Sequence, residues 1–312
     1  MILKRNIIGK ITINIKKKMK KIIIVTGGAG FIGSNLIKFL LKKTKLNIVS
    51  IDNYSTGNVK NHINSKNVKY IDAENINISK ILKKYKNKIK IIYHFGEFSR
   101  IYQSFLRTKS CINSNIYNSF EIINFAKDNN IKIIYSATSS NLGNDGEDQN
   151  SSPYAWTKAK NIELIKNFGD WFGLKYEILY FYNVYGPGQI ETGSMSTLIG
   201  IFESQYKNKK PLTIVKPGSQ IRAYTHVDDI IEGCYKAVMK NKNQEYMLSS
   251  EKKYSILQIA KMFNTKYKYI PSRRGDRSDS IILNNNAKKI LGFKATISIK
   301  DYIKNFVNNH RN

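Results

Sequence analysis

The sequence predicts an α/β protein, a doubly wound parallel sheet with a smaller C-terminal α/β region. Three observations predict it. Short β-branched runs recur at 21–27, 46–52, 68–73, 90–95, 131–138 and 176–186. Stretches with helical spacing separate most of them; in "FIGSNLIKFLLKK", Ile32, Leu36, Phe39 and Leu40 share one face. The runs are apolar throughout, so each strand needs cover on both faces, which a sheet sandwiched by helices supplies.

Taken in order, the first 18 residues carry six basic groups and no acid, and lysine interrupts each apolar run. They lack the unbroken apolar segment of a secretory signal. Residues 1–18 are therefore expected to be a poorly ordered basic extension. Residues 19–183 hold the strand–helix alternation. After Gly186 the segments shorten and Gly and Pro punctuate "GPGQ" and "KPGSQ". Residues 184–312 are expected to form mainly the substrate-binding region, with about 221–250 packing back on the first domain.

Composition narrows the function classes. Of 312 residues, 41% are apolar, enough for a substantial core. No apolar run approaches the roughly 20 residues of a membrane span, so no membrane partner is expected. The formal charge of +30 invites a nucleic-acid reading. The lysines, however, are spread along the chain among Ile and Asn, and no nucleic-acid module appears, so no nucleic-acid partner is expected. Cys111 and Cys234 cannot form a disulfide framework, and a cytoplasmic location is the natural reading.

The stretch "KIIIVTGGAGFIGSN" places Gly27, Gly30 and Gly33 where a strand passes into a helix. Gly27 suits a tight turn, Gly30 lets backbone approach a pyrophosphate, and Gly33 lets the helix pack close. The helix N-terminus then offers free N–H groups to phosphates. Asp52 ends the next strand, 19 residues beyond Gly33, where a carboxylate accepts from both ribose hydroxyls and repels a 2′-phosphate. This is a Rossmann-type site that favours NAD.

"SSPYAWTKAKNIE" places Tyr154 and Lys158 on one helical face. A neighbouring ammonium favours a phenolate. Tyr-x-x-x-Lys also arises by chance among 20 tyrosines and many lysines. Here it follows a strand ending in "YSATSS", where the Thr138 hydroxyl could bridge a substrate hydroxyl and Tyr154.

With "VTGGAGFIG", "IDN", "YHFGE", "NIYNS", "YSATSSNLG", "YAWTK", "YFYNVYGPGQ", "RAYTHVDD" and "RRGD" in order from Lys20 to about Lys300, the chain resembles the extended short-chain dehydrogenases/reductases, specifically the nucleotide-sugar epimerase/dehydratase group. The resemblance implies that Thr138, Tyr154 and Lys158 form the catalytic triad. It implies that Gly27, Gly30, Phe31 and Ile32 hold the pyrophosphate of NAD. Asp52 and Asn53 would hold the adenosine ribose, Asp72 and Ala73 would flank the adenine, and Phe95 and Gly96 would line the nicotinamide side. Asn115, Tyr154, Lys158 and Tyr182 complete the implied cofactor set. For substrate it implies Ser99, Thr138, Tyr154 and Asn183, with Arg222 and Arg273 clamping a diphosphate, a task suited to guanidinium forks. Each has a plainer reading. Asn115 and Asn183 could be cap or turn residues, and the two arginines could be solvated.

In this group a tyrosinate takes a proton from a sugar hydroxyl and hydride passes from that carbon to NAD. Dehydratases place acids directly after the threonine matched by Thr138. Here those positions are Ser139 and Ser140, and neither is a carboxylic acid. The resemblance therefore implies a UDP-sugar 4-epimerase: the ketone rotates and the hydride returns to its other face. A C3 or C5 epimerase, a reductase, a dehydratase or a non-catalytic NAD-binding protein remain as rivals. Departures from the group stand at Glu97, where a small residue is usual, at Tyr180 and at Leu142. Glu97 and Arg100 are expected near the sugar ring. His94 reads as a satisfied strand-end residue. His226 beside Asp228 and Asp229 reads as a helix start with capping acids, and no metal is expected. Family members usually dimerise, which here implies helices over about 104–127 and 154–172.

Overall fold

Ile22–Thr26, buried at every position, forms strand β1 inside the main sheet. The structure is a computed structural model that describes residues 21–73, 78–142, 148–275, 282 and 284–310. The basic extension expected over 1–18 lies outside the described residues. After β1 come α1 (Phe31–Lys43), β2 (Asn47–Asp52), β3 (Val68–Asp72), α2 (Ile78–Lys83), β4 (Ile89–His94), α3 (Ile101–Leu106), α4 (Thr108–Ile112), α5 (Ser119–Asp128), β5 (Lys132–Thr138), α6 (Pro153–Phe172) and β6 (Tyr176–Phe181). The second half holds β7 (Val184–Tyr185), α7 (Leu198–Lys207), β8 (Leu212–Val215), β9 (Ile221–Ala223), β10 (Thr225–His226), α8 (Val227–Val238), β11 (Glu245–Leu248), β12 (Lys253–Ser255), α9 (Ile256–Met262), β13 (Tyr267–Ile270), α10 (Asn286–Leu291) and α11 (Ile299–Asn309).

Seven strands pair in parallel in the order β11-β6-β5-β4-β1-β2-β3. The chain winds outward from β1 to β3, then crosses back to β4 and winds the other way. That reversal opens a crevice at the carboxyl ends of β1 and β4, the place where doubly wound sheets bind ligands.

Apolar layers cover both faces. On one, Ile122 and Ile123 of α5 and Ile162, Ile165 and Phe168 of α6 pack on Ile24, Ile92, Ile133 and Ile178. On the other, Leu36, Ile37 and Leu40 of α1 and Ile230, Ile231 and Cys234 of α8 pack on Ile23, Val25, Ile134 and Leu179. Each fully buried side chain of this size contributes about 1.5–3 kcal/mol. Phe202, Leu212, Ile259, Phe263 and Ile303 form a separate core in the second half.

α6 is the longest helix described. Ser152 caps it by accepting from Ala155 N–H, Pro153 opens it, and Gly173 ends it at φ 72°. The helix expected over 104–127 is not continuous. A wide π-type turn, Asn113–Asn118, separates α4 from α5, and Arg107 separates α3 from α4. Inside that turn the Asn115 amide is bonded to the backbone N–H and carbonyl of Phe98, at 2.6 and 3.1 Å.

At α8 the cap is His226 itself, which accepts from Asp228 N–H. Asp229, one of the acids expected to cap, accepts instead from the backbone of Thr296 and Ile297, tying the C-terminal segment to this helix.

Candidate active site

At the end of β1 the chain turns through Gly27 to Gly30 straight into α1. Gly27 has φ +70°, and a Cβ there would stand 2.8 Å from Gly96 Cα. A Cβ on Gly33 would stand 2.1 Å from the Gly27 carbonyl oxygen. Turn and helix are thus in backbone contact, which glycine alone allows. Gly30 is the N-cap, no side chain caps the helix, and its first turn holds no acid. The free N–H groups and the positive dipole end are left for a ligand anion. At the end of β2, Asp52 accepts from Ala29 N–H and Tyr54 N–H, both at 2.9 Å. Burial pushes its carboxyl above the ordinary value against those hydrogen bonds.

A cleft of about 850 Å³ opens at this switch point. Gly27, Phe31, Ile32, Asp52, Asn53, Ala73, Phe95 and Gly96 line it, as do Ser99, Thr138, Tyr154, Lys158, Asn183 and Arg222. Asn183 adopts φ 34° and donates to the Ala223 carbonyl at 2.9 Å. Arg222 is 7% exposed and donates to its neighbour's carbonyl, Ile221 O.

Three expected residues, Tyr182, Asn115 and Arg273, stand elsewhere. Tyr182, expected to touch the cofactor, is 0% exposed and its hydroxyl faces Met247 Sδ at 3.5 Å, inside the core. Asn115, expected likewise, is 0% exposed and ties Phe98 to Thr157. Asp72, exposed at the end of β3, stands beside Asp52 in the β2–β3 register and before the cleft-lining Ala73. Arg273, expected to clamp a diphosphate, is exposed, with its guanidinium 5.8 Å from the Tyr102 ring. Sequence position alone could not say which way any of these side chains would turn.

Thr138 closes β5, accepting from Ser140 N–H and donating to Ser140 Oγ, both at 3.1 Å. Tyr154 lies in the first turn of α6, where its N–H donates to Ser104 Oγ at 3.2 Å and fixes α3 against α6. Lys158, one turn on, is 3% exposed and donates to the Ser136 carbonyl at 2.5 Å and to Glu97 Oε2. Threonine, tyrosine and lysine therefore face the same cleft as the glycine turn.

A sequence model of the NAD dependent epimerase/dehydratase family matches residues 23–249. The chain belongs to this family. A relative of 27% identity is the UDP-glucuronate 4-epimerase of Thermodesulfobacterium geofontis; the alignment covers 91% of this chain and 94% of that protein. Among solved structures, the UDP-glucuronic acid 4-epimerase of Bacillus cereus, in complex with UDP-glucuronic acid and NAD, is 26% identical with a TM-score of 0.81, over 92% of this chain and 99% of that one. The UDP-N-acetylglucosamine 4-epimerase of Methanobrevibacter ruminantium, in complex with UDP-N-acetylmuramic acid, is also 26% identical, with a TM-score of 0.82 over 93% and 98%.

The site fits the family's NAD. The backbone contact at Gly27 and Gly33 leaves no room for side chains where a pyrophosphate approaches, and Asp52 is held at the end of β2, where a ribose would lie. Two further residues of this epimerase/dehydratase family member, Glu97 and Arg100, line the cleft. Glu97, expected to face a sugar, has a side chain only 1% exposed, paired with Lys158. Arg100 lines the cleft and donates from Nε to Met195 O at 3.0 Å and from Nη1 to Ser99 O at 2.8 Å. Burial pulls its guanidinium below the ordinary value, while Tyr154 acts the other way.

Proposed function

We propose that the chain is an NAD-dependent UDP-sugar 4-epimerase. One observation carries the reading: Thr138, Tyr154 and Lys158 line the cleft of the glycine turn, while the next two positions, Ser139 and Ser140, hold no acid. Tyr154 as phenolate takes the proton of a sugar hydroxyl, with Lys158 one turn along the same helix facing the same cleft. Thr138 Oγ orients the hydroxyl. When bound, NAD accepts hydride from the sugar carbon and returns it. Glu97 is sequestered by Lys158 and cannot serve as the acid that would expel water. Arg222 would hold the diphosphate, with Arg273 proposed as a second clamp, so that the sugar turns while the nucleotide stays.

A second reading concerns the sugar. Arg100 reaches the cleft with hydrogen bonds to the Met195 and Ser99 carbonyls and, among the described residues, no ion-pair partner. A half-buried guanidinium facing the cleft suits an anion, which favours a uronate over a neutral hexose. A homodimer is also proposed. Leu106, Tyr117, Phe120 and Trp156, on or between α3, α5 and α6, are 63%, 64%, 44% and 39% exposed, an apolar surface that suits a second copy. No helix among the described residues is long and apolar enough to cross a membrane, and both cysteines are free and buried. These features support a cytoplasmic placement.

The test incubates the protein with UDP-glucose, UDP-N-acetylglucosamine and UDP-glucuronate. Interconversion of C4 epimers without NADH accumulation is expected. Tyr154→Phe should abolish it while NAD stays bound. Net NADH release, a dehydrated or decarboxylated product, or activity surviving in Tyr154→Phe would refute the reading.

A further inference from the structure

Glu97 carries a buried charge that proton abstraction does not use. Its Oε1 accepts from Ser119 Oγ at 2.7 Å, Asn161 Nδ2 at 2.8 Å and Tyr135 OH at 3.0 Å. Its Oε2 accepts from Lys158 Nζ. Burial works to raise the carboxyl, but the charge of Lys158 and these hydrogen bonds hold it below its ordinary value. The carboxylate is therefore ionised.

Its donors are ordered from behind. Thr26 Oγ1 accepts from Phe95 N–H at 3.1 Å and Gly96 N–H at 3.0 Å. Its own hydrogen therefore goes to His94 Nδ1, 2.7 Å away. His94 then carries its proton on Nε2 and donates to Ser119 Oγ at 2.9 Å, leaving the Ser119 hydroxyl hydrogen for Glu97. Burial holds His94 neutral, with its pKa lowered to about 4. Every donor in this row points the same way, and the row ends on the carboxylate.

Lysine has three N–H donors. One goes to Glu97 and one to the Ser136 carbonyl, which leaves one for the cleft that Lys158 lines.

The geometry points to Glu97 as the built-in counter-ion of Lys158, fixing the ammonium with one donor to spare and cancelling its field toward the positively charged nicotinamide ring of oxidised cofactor. This rests on the NAD-dependent reading above. Without Glu97, a bare ammonium repels the oxidised ring and not the neutral reduced ring. Without Lys158, a bare carboxylate does the reverse. Glu97 is thus a positioning residue, acting through Lys158.

The test measures Kd for NAD+ and for NADH, by calorimetry, at mildly alkaline pH. The proteins are the wild type, Glu97→Gln, Lys158→Met and the double variant. Glu97→Gln should raise the ratio Kd(NAD+)/Kd(NADH) about tenfold. Lys158→Met should lower it by a similar factor, and the double variant should return it to within about twofold of wild type. If Glu97 served packing alone, both cofactor forms would weaken alike and the ratio would hold, which overturns the proposal. Should Glu97→Gln fail to fold, the fall in Lys158→Met and the return in the double variant still decide it; an unmoved ratio in Lys158→Met then overturns it. No sugar enters the assay. Failure to epimerise any UDP-sugar would overturn the proposed function and leave this result standing.

Discussion

Replacing Gly33 by alanine sets two opposed effects against each other. Alanine is the better helix former by about 0.8–1 kcal/mol, and Gly33 lies inside α1. A mere helix glycine would therefore give a more stable variant. The structure predicts the opposite sign. The new Cβ would sit 2.1 Å from the Gly27 oxygen and 2.8 Å from Gly28 Cα. Both are backbone atoms, so no rotamer change relieves them, and contact at about 3 Å requires a retreat of nearly 1 Å. The Gly27 oxygen is itself held by Gly30 N–H at 3.1 Å, and Gly27 N–H by Ile51 O at 2.8 Å. Overpacking of this kind costs on the order of 3 kcal/mol. Less the propensity gain, Gly33→Ala should lose about 2 kcal/mol, a fall in Tm of roughly 4–8 °C. Displaced turn N–H groups should also weaken NAD binding by about tenfold or more. Thermal unfolding and NAD titration check both. A raised Tm with unchanged NAD affinity would refute the close-contact argument.

Acid should destabilise the protein above the range where ordinary carboxylates titrate. The unfolded chain protonates His94 near 6.5, whereas the folded chain resists until about 4 because burial penalises the imidazolium. Stability should therefore fall as pH drops between those values, by roughly 3 kcal/mol. Glu97, held below its ordinary value, adds loss at lower pH; denaturant melts across pH should show the slope, and His94→Gln should flatten it. Lys132 Nζ donates to Glu177 Oε1 at 3.0 Å and to the carbonyls of Ala237 and Val238 at the end of α8, at 3.3 and 3.2 Å. Lys132→Met strands a buried carboxylate and should cost about 3–5 kcal/mol, read as a fall in Tm on the order of 10 °C. Arg100→Gln should cut kcat/KM for UDP-glucuronate about tenfold more than for UDP-glucose; an unmoved ratio would mean that the guanidinium does not read the acid.

The sheet was legible because its strands are continuous β-branched runs between glycine and polar breaks; β1 to β6 match the six runs read from the sequence, with β4 starting one residue earlier than its run. The glycine turn and the Tyr154–Lys158 pair were legible because their function requires fixed spacing along one strand or one helix. Residues whose role depends on side-chain direction were not. Glu97 reads as a departure from the group near the sugar ring, but its pairing with Lys158 stayed hidden, since its partners Ser119, Tyr135, Asn161 and Lys158 come from three distant segments. Tyr182 follows β6 directly, and only the packing of Met247 against it shows that it points inward. The break at Asn113–Asn118 escaped because helical spacing continues on both sides of it.

One pairing limits how the molecule can be taken apart. β11 lies about sixty residues past the strand it borders, yet its neighbour β6 takes Gln244 O at Ile178 N–H, 2.9 Å away, and Glu177 accepts from Lys242 and Gln244 N–H at 3.1 and 3.2 Å. A shortened chain stopping near residue 183 would bare the β6 margin and take two backbone donors from Glu177, leaving it Lys132 alone. Such a fragment should stick to its own copies through that margin, so the cofactor half cannot be expected to survive as a free-standing unit.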